Sequence, residues 1–199
     1  PIIQGKLSIK DGATIRGIVF DGASEVADAI RIDDTVTGAP VVISGCTVRN
    51  YTNRFVYVSL SGKIESLTID DCIFIGADNS TTNKAIYASS AHTQVETLSV
   101  TNSTFLNFNT GSNYFFRINC GEELVLMPVV LIDHCTFYNC YDRRGVYLYN
   151  AGRSTIKNCI SAFSERRDDT KSFTAYGDES IVKNVISYNV DLYGSAPKE

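Results

Sequence analysis

No run of 18 apolar residues occurs in the 199-residue chain, so no segment reads as a bilayer-spanning helix. Strong charge of either sign is also missing. Eighteen Lys and Arg stand against 22 Asp and Glu, and the net charge of -4 gives no electrostatic reason to expect nucleic acid or an anionic membrane. With only two histidines, no repeat offers a Ser-His-Asp set, and no glycine-rich loop is shaped to cradle phosphate. Esterase and nucleotide-binding readings are therefore poor. The six cysteines lack the CxxC…CxxC spacing of a zinc site, and no metal site is expected from them. Neither a secretory leader nor an amphipathic capping helix is visible. Because Pro1 opens inside a strand-like segment, the chain is read as a mature form or part of a longer protein.

What the sequence does have is a phrase that returns seven times. It reads Thr14-Ile-Arg-Gly-Ile-Val-Phe20 at first, Thr68-Ile-Asp-Asp-Cys-Ile-Phe74 in the third copy and Leu131-Ile-Asp-His-Cys-Thr-Phe137 in the fifth. Its fourth residue falls at Gly17, Gly45, Asp71, Asn102, His134, Asn158 and Asn184, at intervals of 24 to 32 residues. Repeats of that length with strand-like contents indicate a solenoid. Within a copy the residues alternate apolar and polar, break, and alternate again. Leu67 and Ile69 face inward, Asp70-Asp71 forms a corner, and Cys72 and Phe74 resume the inward face. Gly, Asn and Asp hold the corner because it calls for a left-handed backbone, which they tolerate best.

A second strand follows each phrase after a loop of variable length, as in Phe55-Val-Tyr-Val58 and Ala85-Ile-Tyr-Ala88. Its inward column is Ile30, Val56, Ile86, Phe116, Val146 and Phe173, and its outward column is Arg31, Tyr57, Tyr87, Arg117, Tyr147 and Thr174. Short strands and turns without a helix make the fold class all-β, a single-stranded parallel β-helix of about seven rungs, forming one domain over residues 1–199. Like residues then stack on like. Cys46, Cys72, Cys135 and Cys159 form one interior file interrupted by Ser103, and are expected to be free thiols, since stacked strand residues rarely offer disulfide torsions. Cys120 and Cys140 lie off the file and either pair or stay free. Asn50, Asn107, Asn139 and Asn189 form a second ladder. The open strands at each extremity call for an adjoining domain or a neighbouring chain as cover.

The phrase, the Asn corners and the coil length resemble the right-handed parallel β-helix of the pectate-lyase-like superfamily, from about Leu7 to Tyr193. More narrowly, Ile15-Arg-Gly-Ile-Val-Phe-Asp-Gly22 and Leu131–Phe137 resemble uncharacterised β-helix domains of surface proteins in polysaccharide-degrading bacteria. The resemblance implies a polysaccharide partner and an extracellular, cell-surface or periplasmic location. The paired aspartates, Gly-His-Gly and Arg-Ile-Lys of polygalacturonases are missing. So is the Arg-x-Pro-x-x-Arg that accompanies segments like Ile132-Asp-His-Cys135 in pectate lyases. His134 aligns with corner residues, and His92 sits in a loop with no recognisable partner.

Site expectations centre on the outward column. Arg31, Tyr57, Tyr87, Arg117 and Tyr147 run beside Arg54, Lys84, Tyr114, Arg143 and Arg144. Tyrosine faces stack on sugar rings and guanidinium groups grip carboxylate or sulfate, so the strip suits an acidic polysaccharide. The same residue types also stabilise an exposed sheet by stacking on one another. Asp142 and Asp169 fall in register and could approach to about 5 Å, the separation of a retaining glycosidase pair. Alternatively they could hold a calcium ion with carbonyl and water ligands, or Asp and Arg at this loop mouth simply pair with each other on the surface. Were the chain a lyase, the resemblance would make Arg144 or Lys171 the base and Tyr147 the acid. Three functions thus stand open: polysaccharide recognition, cleavage of a uronate polymer by a lyase or hydrolase, and a structural spacer.

Overall fold

A computed structural model describes residues 1–33, 38–59, 63–76, 83–90, 94–108, 114–120, 129–140, 145–149, 152–162, 171–176, 179–189 and 191–193. Among them there is no helix. The strands build three all-parallel sheets, and consecutive strands enter the three sheets in turn, so that every third strand returns to the same one. The long-strand sheet runs from Ala13–Arg16 to Glu179–Lys183 and carries the residues before each corner. The short-strand sheet, from Ile2–Ile3 to Ile186–Tyr188, carries the residues after it. The strip sheet, from Leu7–Ile9 to Asp191–Tyr193, carries the Arg and Tyr column. This is a parallel β-helix. Among the described residues the sheets hold seven, eight and eight strands. Ile2–Ile3 and Leu7–Ile9 stack beneath the first phrase without a phrase of their own.

All seven corner residues are left-handed: Gly17 and Gly45 at φ 63° and 59°, and Asp71, Asn102, His134, Asn158 and Asn184 at φ 51–53°. A left-handed backbone turns the chain within one residue, and Gly, Asn, Asp and His adopt it more readily than other residues. His134 is therefore a corner residue. The first six corner N–H groups bond a carbonyl of the next rung, as in Gly45 N–H to Asp70 (3.0 Å) and Asp71 N–H to Thr101 (3.2 Å), so those donors are not orphaned. The Asn ladder forms the second set of left-handed turns, with φ 52–59° at Asn50, Asn107, Asn139 and Asn189. The Asn139 amide donates along the rod to Asn107 at 3.4 Å.

The inward column Ile30, Val56, Ile86, Phe116, Val146, Phe173 is fully buried and in one register. Opposite it, Phe74, Phe105 and Phe137 stack ring on ring at 5.0 and 5.1 Å, with interplanar angles of 5° and 13°. Phe173 then closes edge-on at 5.7 Å.

Cys46, Cys72, Cys135 and Cys159 lie in one buried file with Ser103, and all four thiols are free, as is that of Cys140. Each file member donates to the carbonyl two residues earlier: Cys46 to Ser44 (3.3 Å), Cys72 to Asp70 (3.2 Å), Cys135 to Asp133 (3.4 Å), Cys159 to Lys157 (3.0 Å). Ser103 does the same to Thr101 at 2.8 Å. The file wants a small donor that fits inside the turn, which both Cys and Ser supply. Cys72 and Cys135 are pushed up in pKa, first by the hydrogen bonds they share with Cys46 and Cys159, then by burial. Burial pushes Cys140 up to about 12. The thiolate is the reactive form and Cys46 and Cys159 shift the other way, but each of the five is at most 3% exposed, so burial should leave these five thiols unlabelled by a maleimide in the native chain and open to labelling on unfolding. Mass spectrometry of the labelled peptides checks this.

Candidate functional site

The strip sheet brings the predicted column together in one register: Arg31 pairs with Tyr57, Tyr57 with Tyr87, Tyr87 with Arg117, and Arg117 with Tyr147. Strand alternation places these side chains outside because Ile30, Val56, Ile86, Phe116 and Val146 on either side of them face the core. Arg54 and Lys84 occupy matching positions two residues before Val56 and Ile86. Tyr114 lies just before the strand Phe116–Cys120 and joins the strip through its ring.

The side chains pack on each other along the rod. Tyr57 and Tyr87 are 6.1 Å apart, Tyr87 and Tyr114 6.5 Å, and Tyr114 stacks on Tyr147 at 5.5 Å and 18°. Arg54 sits 3.5 Å over the Tyr57 ring, with Arg31 5.7 Å from the same ring. Arg117 lies 4.3 Å from the Tyr114 ring and 5.9 Å from those of Tyr87 and Tyr147, and it hydrogen-bonds the Tyr114 hydroxyl. Close packing has a consequence for access. Tyr57 and Tyr147 are only 5% and 6% exposed, so they brace the strip, while Tyr87, Tyr114, Arg31, Lys84 and Arg117 remain partly open.

Charge divides the strip as well. Arg54 forks onto buried Asp28, Nε and Nη2 each 2.8 Å from a carboxylate oxygen. Burial opposes the Arg54 charge, but the Asp28 carboxylate outweighs it and the net pKa shift is upward. Arg31 donates to Ser59 at 3.2 Å and lies 4.0 Å from Asp33. Arg117 has no carboxylate partner among the described residues. Its Nε is buried without a hydrogen-bond partner. A cation fixed by aromatic faces and left unneutralised is a ready receptor for an anion.

Sequence reasoning missed Asp28. A signal was there: Asp28 stands in register with Arg54 and Lys84, and reading that column for acids as well as bases would have paired it.

Asp142, Arg143, Arg144 and Asp169 lie outside the described residues, as does His92, and Lys171 begins the strand Lys171–Tyr176. The expected carboxylate pair and calcium site therefore also lie outside the described residues. Among the described residues, no three His, Cys, Asp or Glu gather as metal ligands. His134 Nδ1 lies 2.7 Å from Asp133, which also meets Lys157 at 3.1 Å and the Asn158 amide at 2.9 Å. Burial would raise the Asp133 pKa, yet these three partners hold it below the ordinary carboxylate range.

No curated protein matches the sequence. The model of a family described as a domain of unknown function, DUF4957, matches residues 2–108, which takes in the first four corners and the strip from Arg31 to Tyr87. By that match, which covers more than half of its length, the chain belongs to the DUF4957 family.

Proposed function

We propose that the strip sheet recognises an acidic polysaccharide, in a protein of a bacterial glycan-utilisation or cell-surface system that works outside the cytoplasm. The observation that carries this reading is Arg117, a guanidinium without a carboxylate partner among the described residues, held against the Tyr87, Tyr114 and Tyr147 rings. An ordered guanidinium loses little freedom on binding, and its planar fork suits a uronate carboxylate or a sulfate ester. The partly open Tyr87 and Tyr114 rings beside it offer faces for the sugar. Lys84, 5.7 Å from the Tyr87 ring, adds positive charge one rung away. The resemblance to pectate-lyase-like β-helices, a group rich in polysaccharide-active members, supports the same class of ligand.

The spacer reading has one observation in its favour, the near-complete burial of Tyr57 and Tyr147. Affinity electrophoresis against polygalacturonate, alginate and chondroitin sulfate separates the two. Retardation by at least one of these is expected, weakened by added salt because the contact is charged. Arg117→Ala and Arg117→Lys should each reduce affinity about tenfold, a loss of about 1.4 kcal/mol, since lysine lacks the fork. Arg49→Ala on the short-strand sheet should change nothing. Absence of retardation on all three polymers, or an Arg117→Ala chain that binds like the parent, removes the reading in favour of the spacer.

A further inference from the structure

The short-strand sheet turns two columns outward, and from Ile73 to Tyr188 neither carries a charge. One column runs Ile73, Thr104, Thr136, Ile160, Ile186, and the other Ile75, Leu106, Tyr138, Ala162, Tyr188. Ile73, Tyr138 and Ile160 are each 43% exposed, and Ile186 and Tyr188 each 63%. At roughly 200 Å² for a large side chain, these five alone leave roughly 500 Å² in water. Two such faces together reach the approximately 1,000 Å² that a specific interface needs. The charged residues of this face, Asp21 and Arg49, sit at its other end and neutralise each other at 2.9 Å.

Side-chain size selects the occupant. In the three central rungs one outward residue is small and its companion large: Thr104 beside Leu106, Thr136 beside Tyr138, Ala162 beside Ile160. A two-fold axis parallel to the coil lays each column over the opposite column of a second copy. Every small residue then meets the large residue of the same rung, and equal rung spacing keeps the match in step. Strand propensity accounts for the β-branched residues on an exposed face. It does not account for this pairing of sizes within rungs.

We propose that this face joins two copies of the chain side by side, with their coil axes parallel. The contact is apolar, so the net charge of -4 does not oppose it locally, and the strip sheet stays outside it. The inference is independent of the glycan reading.

Sedimentation velocity on the chain between about 1 and 100 µM, a range that resolves ordinary homodimer affinities, tests it. A concentration-dependent species of twice the chain mass is expected. Tyr138→Lys and, separately, Leu106→Lys should raise the dissociation constant at least about tenfold while each variant keeps the parent's circular dichroism. Arg31→Ala on the strip sheet should leave it unchanged. For the orientation, Ile160→Cys/Ala162→Cys should link two copies on mild oxidation, whereas Thr136→Cys alone should not. A monomer throughout the range overturns the proposal, as does a dimer indifferent to both lysine variants. Linkage through Thr136→Cys overturns the parallel arrangement.

Discussion

Phe105→Ala should lower the stability of the chain by about 3–5 kcal/mol, the range found for deleting a buried ring. Phe105 is the middle of three stacked rings, 5.0 Å from Phe74 and 5.1 Å from Phe137, and it also meets Phe115 and Phe116. Its side chain is fully buried, and its strand is tied by backbone ladders to the strands of the rungs above and below. Collapse around the void is therefore limited, and most of the lost contact is not recovered. In a solenoid each rung contacts only its neighbours, so a hole at mid-height weakens the coupling between the two halves. Urea titration followed by circular dichroism should show a lower midpoint. A fall of less than about 1 kcal/mol would mean that the stack contributes little.

The second large effect is expected at a residue without a side chain. A Cβ on Gly76 would lie 2.4 Å from the Asn107 carbonyl oxygen, 2.9 Å from its carbonyl carbon and 3.1 Å from the Phe108 Cα. All three are backbone atoms of the next rung, which the Gly76 N–H already grips through the Leu106 carbonyl at 2.8 Å. No rotamer change relieves that overlap; the rungs themselves must separate. Gly76→Ala should thus cost about 1–3 kcal/mol or somewhat more, read from the same titration. Gly17→Asn is the matched control. Gly17 is left-handed, and its added Cβ would have no atom within 4 Å; Asn already serves that corner at 102, 158 and 184. Its change should stay within about 0.5 kcal/mol. Equal losses at the two glycines would show that backbone conformation, not rung contact, is what Gly76 provides.

These two glycines mark where sequence reading succeeds and where it stops. Gly17 was legible because its place in the phrase is shared with Asn and Asp, residues alike in tolerating a left-handed backbone. Gly76 was not. It occupies the place of the Asn ladder yet is not left-handed, and only the neighbouring rung's position reveals why it must be bare. The same division runs through the strip. Alternation and register were enough to put Arg31, Tyr57, Tyr87, Arg117 and Tyr147 in one file. They could not say that Asp28 neutralises Arg54 or that no described carboxylate reaches Arg117, since those depend on which long side chains reach each other. The outward placement of Ile73, Leu106 and Tyr138 was not read from the sequence, and their joining into one uncharged face became visible only when the rungs were stacked.

By itself the sequence determined the coil, because its corners and inward positions recur at one period and local backbone preference plus alternation suffice to wind it. The tertiary structure alone decided which outward residues are open, covered or neutralised. Those properties arise between residues some 25 to 30 positions apart in the chain, brought within contact by the roughly 4.8 Å rise of a rung.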